Sequence, residues 1–167
     1  MATMLVVEVN DVQFAQAMKR LTELMADMTP ALRGIGEYLA SSSQDRFGTQ
    51  TAPDGSAWTP LSNWYRETKP SNKDKVLTLR GYLRSSIHWQ VMPDQVLVGS
   101  NLEYAAIHQF GGVIRPKKAK ALKVGGRVVS QVKIPARQYL GISAEDATES
   151  EELAADYLAG AFKDGPA

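Results

Sequence analysis

"IHWQVMPDQVLVGS", residues 87–100, is the stretch that most constrains the fold. Apolar and polar side chains alternate on both sides of Pro93 and Asp94, with the period of two that extended chains show. Proline presets the first central dihedral angle of a turn, and aspartate is common beside it. The stretch therefore predicts two antiparallel strands joined by a tight turn.

The chain before this hairpin is predicted to be mostly helical. "MLVVEV", residues 4–9, indicates a short strand, after which Asn10 can cap a helix together with Gln13. Thr29 and Pro30 begin a second helix, which Gly48 is expected to end. Apolar residues at helical spacing give each helix a core face: Phe14, Met18, Leu21, Met25 and Met28 in the first, and Leu32, Ile35, Leu39 and Phe47 in the second.

The segment between the second helix and the hairpin is predicted to be a loop followed by one short helix. Residues 48–65 have loop composition but contain Trp58, Leu61, Trp64 and Tyr65, so this loop is expected to dock on the rest of the chain. "KPSNKDK", residues 69–75, is polar and is expected to be exposed. "LTLRGYLRSSI", residues 77–87, carries apolar residues four positions apart and predicts a short helix.

The chain after the hairpin adds a helix, more strands and a last helix. Ser100 and Glu103 form a capping-box pattern, and the helix they open is expected to close at Gly111 and Gly112, before a strand at Val113. Residues 115–134 predict a hairpin folded about residues 125–126. From Glu145 onward an acidic first turn begins a helix whose apolar face contains Leu153, Tyr157, Leu158 and Phe162.

This order of elements predicts an α+β fold. We expect a single domain over residues 1–167, with a small antiparallel sheet packed against several helices and a long protruding β-hairpin. Trp58, Trp64 and Trp89 either fill the space between helices and sheet, form a subunit contact, or line a ligand site.

Composition excludes several classes of protein. Nineteen basic and eighteen acidic residues leave a net charge of +1, so no global charge favours nucleic acid or an anionic membrane. The chain contains no cysteine, which excludes disulfides, thiolate zinc sites and cysteine nucleophiles. It also lacks a signal-peptide pattern and the run of about 20 apolar residues that spans a bilayer. We expect a soluble, unexported protein with no membrane partner.

Two histidines are the candidates for acid–base or metal chemistry. His88 lies in a strand pattern, and His108 lies near a predicted helix end; no zinc-protease, nucleophile-elbow or phosphate-loop motif accompanies them. The residues favour a structural interpretation, in which the His108 ring contacts the last helix carbonyls. We expect no catalytic residue, no metal and no cofactor. Phe110 is expected in the core, with a partner contact as the alternative.

One segment is strongly basic. "RPKKAKALK", residues 115–123, can contact phosphates, or its lysines can keep the edge of an exposed hairpin soluble and unpaired. The sequence leaves both interpretations open, contact with phosphates and protection of a hairpin edge.

Four motifs, in order, resemble the bacteriophage virion morphogenesis family, also called the tail-completion family, of tailed phages and Mu-like prophages. They are "PDGSAWTPLS" at residues 53–62, "LTLRGYLRSSI" at 77–87, "VGSNLEYAAIHQFGG" at 98–112 and "IPARQYLGIS" at 134–143. The most specific residues are Tyr104, Ala105, His108, Phe110, Gly111 and Gly112, and then Pro135, Ala136, Arg137, Leu140 and Gly141.

The resemblance implies a structural protein at the head-proximal end of the phage tail, acting in tail completion and head–tail joining as a ring, typically sixfold. Its expected partners are further copies of itself, the tail tube and the neck or connector proteins, with non-specific proximity to genomic DNA. It would be found in the virion, and in the host cytoplasm during assembly. The alternatives are a head-connector protein, or a DNA-binding or metal-dependent nuclease accessory factor that uses His88, His108 and a carboxylate.

We also predict which residues form the working surfaces. The predicted assembly interface comprises His108, Phe110, Gly111, Gly112, Pro135, Arg137 and Tyr139. Within it, Arg137 is expected to bind a backbone carbonyl or a carboxylate. The basic hairpin, Arg115 to Ile134, is expected to reach an adjacent subunit or to line the lumen of the ring; in the lumen, Lys117, Lys118 and Lys120 would face the passing DNA.

Overall fold

The computed structural model describes residues 12–117, 119–124 and 126–163. The strand predicted over residues 4–9, the Asn10 cap, Lys118 and Gly125 lie outside the described residues. The helices are α1 (Val12–Ala26), α2 (Thr29–Thr49), α3 (Asn63–Thr68), α4 (Tyr82–Ser85), α5 (Ala105–Phe110) and α6 (Ala144–Lys163). The strands are β1 (Ile87–Met92), β2 (Gln95–Ser100), β3 (Gly112–Ile114), β4 (Leu122–Val124), β5 (Arg127–Val129) and β6 (Val132–Ile134).

The strands form three antiparallel pairs. β1 pairs with β2, with Met92 opposite Gln95, so the tight turn predicted at residues 93–94 is confirmed. β3 pairs with β6, and β4 pairs with β5 with Val124 opposite Arg127, so the long hairpin predicted over residues 115–134 is also confirmed. The α+β class predicted from the sequence is correct.

α2 is the central helix, and small residues let the β1–β2 hairpin approach it closely. A Cβ atom placed on Gly36 would lie 2.7 Å from Cγ2 of Val96 and 3.1 Å from Cδ2 of Trp89. Trp89 therefore fills the space between helix and sheet, as one of its predicted roles requires. α6 packs on α2 and also on α1. Among the described residues, no helix has both the length and the apolar character that crossing a membrane requires.

The hydrophobic core lies between α2, the β1–β2 hairpin and the segments around Trp58 and Tyr139. The Phe47 ring meets the Trp58 ring edge-on, with centroids 5.4 Å apart, and lies 5.5 Å from the Tyr139 ring. The indole nitrogen of Trp58 donates to the backbone oxygen of Gln138 at 2.9 Å. The predicted docking of the Trp58 loop on the rest of the chain is thus confirmed.

Two of the predicted apolar helix faces are wrong in part. Phe14 and Met25 of α1 are 60% and 62% exposed, and Phe162 of α6 is 56% exposed. The physical reason is that α1 packs mainly on α6 and buries only Ala17, while α6 buries Ala161 at its own end. Helical spacing shows which residues share a face, but not how much of that face a neighbour covers.

Several helix ends also differ from the prediction. α2 continues through Gly48, and Gln50 ends it in the left-handed conformation (φ 60°) with its N–H bonded to the oxygen of Arg46. The helix predicted over residues 77–87 is confined to α4, because Gly81 before it has φ 81°. The predicted loop contains α3, whose first turn is capped by Ser62.

The predicted capping box at Ser100 and Glu103 is wrong as well. α5 begins later, at Ala105, without a side-chain cap. The Ser100 hydroxyl instead accepts from the backbone nitrogen of Leu102 at 3.2 Å and pairs with the Ser86 hydroxyl at 2.7 Å. It therefore ties the end of β2 to the turn before β1.

Candidate assembly surface

The two most specific sequence motifs lie side by side, joined by the side chain of Gln109. Its Oε1 accepts from the backbone nitrogens of Tyr139 and Leu140, each at 3.0 Å, and its Nε2 donates to the oxygen of Leu140 at 2.8 Å. The Arg137 backbone nitrogen donates to the oxygen of His108 at 2.8 Å. One buried amide thus fixes α5 against residues 137–140, so the two motifs are adjacent in the folded chain. That they form one contact region for a partner stays a prediction.

Gly111 permits this close approach of the two motifs. It has φ 72°, and a Cβ atom at this position would lie 2.7 Å from the Ala136 nitrogen and 3.0 Å from the Ile134 oxygen. Backbone atoms cannot move aside as a flexible side chain can, so glycine is required here. Gly112 begins β3, one residue earlier than predicted, and pairs with Ile134. The double glycine therefore ends α5 and starts the long hairpin.

Arg137 and Tyr139 support this surface from the inside. Arg137 is 7% exposed, and it donates from Nε to the Thr59 oxygen at 2.8 Å and from Nη2 to the Pro60 oxygen at 3.3 Å. The backbone-carbonyl partner predicted for Arg137 is confirmed. Tyr139 is 1% exposed, and its hydroxyl donates to the Ala105 oxygen at 3.1 Å. Neither side chain reaches the surface of this chain, so in an interface they would act by holding its backbone.

Phe110 is on the surface, and the expectation that it lies in the core is wrong. It is 75% exposed, whereas Ala105 and Gln109 of the same short helix are buried. The reason is that α5 turns Gln109 toward residues 139–140, which leaves the next position outside. The alternative, that Phe110 contacts a partner protein, stays a prediction. Pro135, the remaining member of the predicted interface, is half-buried beside the cavity described below.

His108 does not contact the last carbonyls of its helix, so that prediction is wrong. Its Nδ1 is buried and has no hydrogen-bond partner among the described residues. The ring meets Tyr104 edge-on, with centroids 6.0 Å apart. Burial and then the nearby positive charge of Arg137 lower the pKa of His108. The histidine is therefore held in its neutral form.

His88 has a different environment from His108. It is exposed in β1, and its Nδ1 bonds the oxygen of Ser86 at 2.9 Å. Across residues 12–117, 119–124 and 126–163, no three histidine, aspartate or glutamate side chains are grouped to hold a metal ion.

A cavity of about 860 Å³ lies between the long hairpin and the segment that contains α3 and α4. Its apolar walls include Leu122, Val132 and Ile134 from the hairpin, and Leu61, Leu77 and Leu83 from the opposite side. His108 also borders it. The guanidinium of Arg127 lies over the Trp64 ring, 4.7 Å from its centroid, and holds the hairpin tip over α3.

Lys69 organises one edge of this cavity. It is 3% exposed, and its ammonium donates to the backbone oxygens of Asn72, Lys75 and Thr78, each at 2.6 Å. The exposure predicted for residues 69–75 is therefore wrong at Lys69, because three carbonyls of its own loop replace water. Burial lowers the pKa of this ammonium.

Two of the three lysines predicted to face DNA lie between β3 and β4. Lys117 and Lys120 are exposed, and Lys118 lies outside the described residues. Their role stays a prediction.

The sequence interpretation missed Gln109, Lys69 and the Arg46–Asp146 ion pair. Gln109 carried a usable signal, because it lies four positions after Ala105 on the same side of a helix and inside the most specific motif. Lys69 and Arg46 carried no usable signal in the sequence. The partners of Lys69 are backbone oxygens, and those of Arg46 lie far along the chain.

The model of the phage virion morphogenesis family matches residues 9–159. "Mu-like prophage FluMu G protein 2" of Haemophilus influenzae is 30% identical over 156 residues, covering 93% of this chain and 96% of the relative. "Putative capsid assembly protein G" of Escherichia phage Mu is 34% identical over 127 residues, covering 72% and 71%. "Tail completion protein S" of Escherichia phage P2 is 25% identical over 155 residues, covering 87% and 97%. No solved structure is significantly similar to this chain.

Proposed function

Because this chain belongs to the phage virion morphogenesis family, we propose that it acts at the head-proximal end of the tail, in tail completion and head–tail joining. The observation that carries the proposal is the family match over residues 9–159, which includes both motifs joined by Gln109. A relative of nearly the same length is named a tail completion protein in phage P2. The work is structural and not catalytic, and its place is the virion and, during assembly, the host cytoplasm.

The acting form in this proposal is a ring of identical subunits, six in number, that contacts the tail tube and the neck proteins. A closed ring needs two different surfaces on each subunit, one for each neighbour. The whole of residues 1–167 is proposed to form one domain of that ring.

The predicted interface is proposed to be one of the contact surfaces. Phe110 supports this because a large apolar side chain that is 75% exposed loses an unfavourable contact with water when a partner covers it. His108, Gly111, Gly112 and Pro135 would frame that contact, while the buried Arg137 and Tyr139 hold its backbone in place. Lys117, Lys118 and Lys120 are proposed to line the lumen, near the DNA.

The test is to delete the gene from the phage or prophage that carries it and to examine the particles by negative-stain electron microscopy. Full heads beside unattached or irregularly ended tails would support the proposal, and normal joined virions would contradict it.

Complementation with Phe110→Ala tests the contact surface, with Leu97→Ala as a matched change of another exposed apolar residue. Charge reversal at Lys117, Lys118 and Lys120 tests the lumen assignment; unchanged particle yield would remove it.

A second candidate is a head-connector protein, which the name of the phage Mu relative favours, since that name refers to the capsid. The same micrographs separate the two locations. A connector defect would leave tails with normal ends beside heads that have lost their DNA.

A further inference from the structure

We propose that Ile142 and the acidic side of α6 in one subunit dock into the cavity under the long hairpin of a second copy of this chain. The proposal rests on the proposed assembly function and identifies the two surfaces that would join neighbouring subunits. Three features support it: the charge distribution, the hydrogen bonds that hold Ile142, and the lining of the cavity.

Charge is separated along the chain although the total is nearly neutral. Residues 112–137 contain eight basic residues and no acidic residue, while α6 contains six acidic residues and one basic residue. The charged residues at the cavity are basic. Its lining includes Arg80, Lys123 and Lys133 but no aspartate or glutamate. An occupant of this cavity is therefore expected to carry carboxylates, and α6 of a second copy carries them.

Four of the six acidic residues of α6 form one stripe, which has no counter-ion among the described residues. Glu145, Glu149, Glu152 and Asp156 recur at helical spacing and so share a side of the helix. None of the four forms an ion pair with another described residue. The same holds for Arg80, Lys123 and Lys133 at the cavity, within the part of the chain that the structure describes. Both charged surfaces are thus available for a partner.

Ile142 lies three positions before Glu145, the first residue of this stripe. Its side chain is in solvent, and hydrogen bonds hold the backbone on both sides of it. Its side chain is 66% exposed. The residue before it, Gly141, accepts from Nη1 of Arg46 at 2.9 Å, and the residue after it, Ser143, donates its N–H to Oδ2 of Asp146 at 2.8 Å. The buried Arg46–Asp146 pair therefore fixes the backbone on both sides of an exposed apolar side chain. A contact that is already ordered costs little conformational entropy on binding.

The cavity suits such an insertion. Its walls are mostly apolar, and its volume of about 860 Å³ exceeds that of one isoleucine side chain, so the first turn of α6 can enter with it. The carboxylates of the stripe would then meet the basic residues at its edge. The two surfaces differ, so each subunit would use its stripe for one neighbour and its cavity for the other, which is the head-to-tail contact that builds rings.

The experiment measures self-association of the purified full chain by light scattering and native mass spectrometry, across protein concentration, at about 0.05 M and about 0.5 M salt. The stripe variant is Ile142→Asp with Glu149→Lys, and the cavity variant is Lys123→Glu with Lys133→Glu. Each variant alone should associate at least about tenfold more weakly than the wild type. A mixture of the two retains one intact stripe and one intact cavity, so it should form dimers and nothing larger.

Matched controls separate this contact from general effects of charge and exposure. Glu151→Lys changes a carboxylate of α6 that lies off the stripe, and Phe162→Ser changes the exposed apolar residue at the other end of α6. Both should associate as the wild type does. Circular dichroism and thermal unfolding of every variant show whether it is folded.

Site-specific cross-linking gives a second readout, because the chain has no cysteine of its own. Ile142→Cys and Leu122→Cys should each give no dimer with a short bismaleimide when used alone, and should give dimers when mixed. Wild-type protein that stays monomeric, or stripe and cavity variants that assemble normally, would overturn the proposal. The particle phenotype after gene deletion is independent of this result, so failure of the interface and failure of the assembly function are distinguishable.

Discussion

The guanidinium of Arg46 in α2 forms a buried ion pair with the carboxylate of Asp146 in α6, across a separation of 100 residues in the chain. Arg46 also donates from Nη1 to the oxygens of Tyr139 and Gly141 at 3.1 and 2.9 Å. Asp146 accepts from the Ser42 hydroxyl at 2.6 Å. This polar cluster joins two helices and the segment that leads into the second of them.

Loss of one member of this pair should be strongly destabilising. We expect Arg46→Met to lower the free energy of unfolding by about 3–5 kcal/mol, because Asp146 would remain as a buried charge without its partner. Urea denaturation measures the loss. The control is Arg84→Met, which removes an exposed ion pair to Asp45 whose side chains are 52% and 71% exposed and lie 3.6 Å apart. That change should cost less than about 1 kcal/mol; equal losses would contradict the expectation.

Asp146 should also make stability depend on acid pH. Burial alone would raise its pKa, but hydrogen bonds from Ser143 and Ser42 and the charge of Arg46 outweigh it and hold the pKa below its usual value of 3.8. The group therefore stabilises the folded chain fully above about pH 3.8, and this contribution is lost as the pH falls further. We expect the difference in unfolding free energy between wild type and Asp146→Asn to shrink from pH 5 to pH 2. A constant difference would contradict this.

Gln109 should be needed for stability although it lies next to an exposed phenylalanine. Gln109→Ala leaves two backbone N–H groups and one carbonyl without their partner, and we expect a loss of about 2–3 kcal/mol in urea denaturation. The matched control is Gln138→Ala, at an exposed position nearby, which should change stability by less than about 0.5 kcal/mol. If the two variants are equally stable, the bridge between the motifs is not important for the fold.

Gly111 should not tolerate a side chain. Gly111→Ala places a methyl group 2.7 Å from the Ala136 nitrogen in a left-handed backbone conformation, so we expect a loss of at least about 2 kcal/mol. Gly48→Ala serves as the opposite case, because Gly48 lies inside α2 with no atom within 4 Å of the new methyl group. That change should stabilise the chain by about 0.5–1 kcal/mol. Thermal unfolding of both variants provides the comparison.

His108 should reduce stability as the pH falls below neutrality. Its pKa in the folded chain lies below the usual 6.5, so the unfolded chain binds the proton more readily. Stability is therefore lost as the pH falls from about 6.5 toward the folded pKa. We expect His108→Phe to keep the edge-on contact with Tyr104, to remove the buried unpaired nitrogen, and to abolish this loss. Unfolding measured at pH 8 and pH 5 tests it, with His88→Phe retaining the wild-type loss.

Local patterns in the sequence predicted the elements whose geometry is local. The β1–β2 hairpin followed from alternation about Pro93 and Asp94, and α1, α2 and α6 followed from helical spacing. The exposure of Phe14, Met25 and Phe110 did not follow, because it depends on how far a neighbouring element extends. A sequence pattern carries no information on that distance.

The candidate site was predictable as a pair of motifs but not as a structure. The residues of the motifs are adjacent in space, yet Arg137 and Tyr139 turn inward while Phe110 is 75% exposed. Whether a conspicuous side chain is a contact or a support depends on long-range hydrogen bonds, such as those of Gln109 and of Arg137 to the Trp58 loop. Lys69 shows the same limit, since a lysine in a polar run gives no sign that three carbonyls will surround it.

The ion pair between Arg46 and Asp146 also has a consequence for biosynthesis. α2 is made early, but the oxygens and the carboxylate that satisfy its buried guanidinium belong to residues 139–146. Until those residues leave the ribosome, the guanidinium in the last turn of α2 lacks these partners, and contacts so distant along a chain form slowly. The interior around Arg46 therefore closes late in translation, after the β1–β2 hairpin has been made.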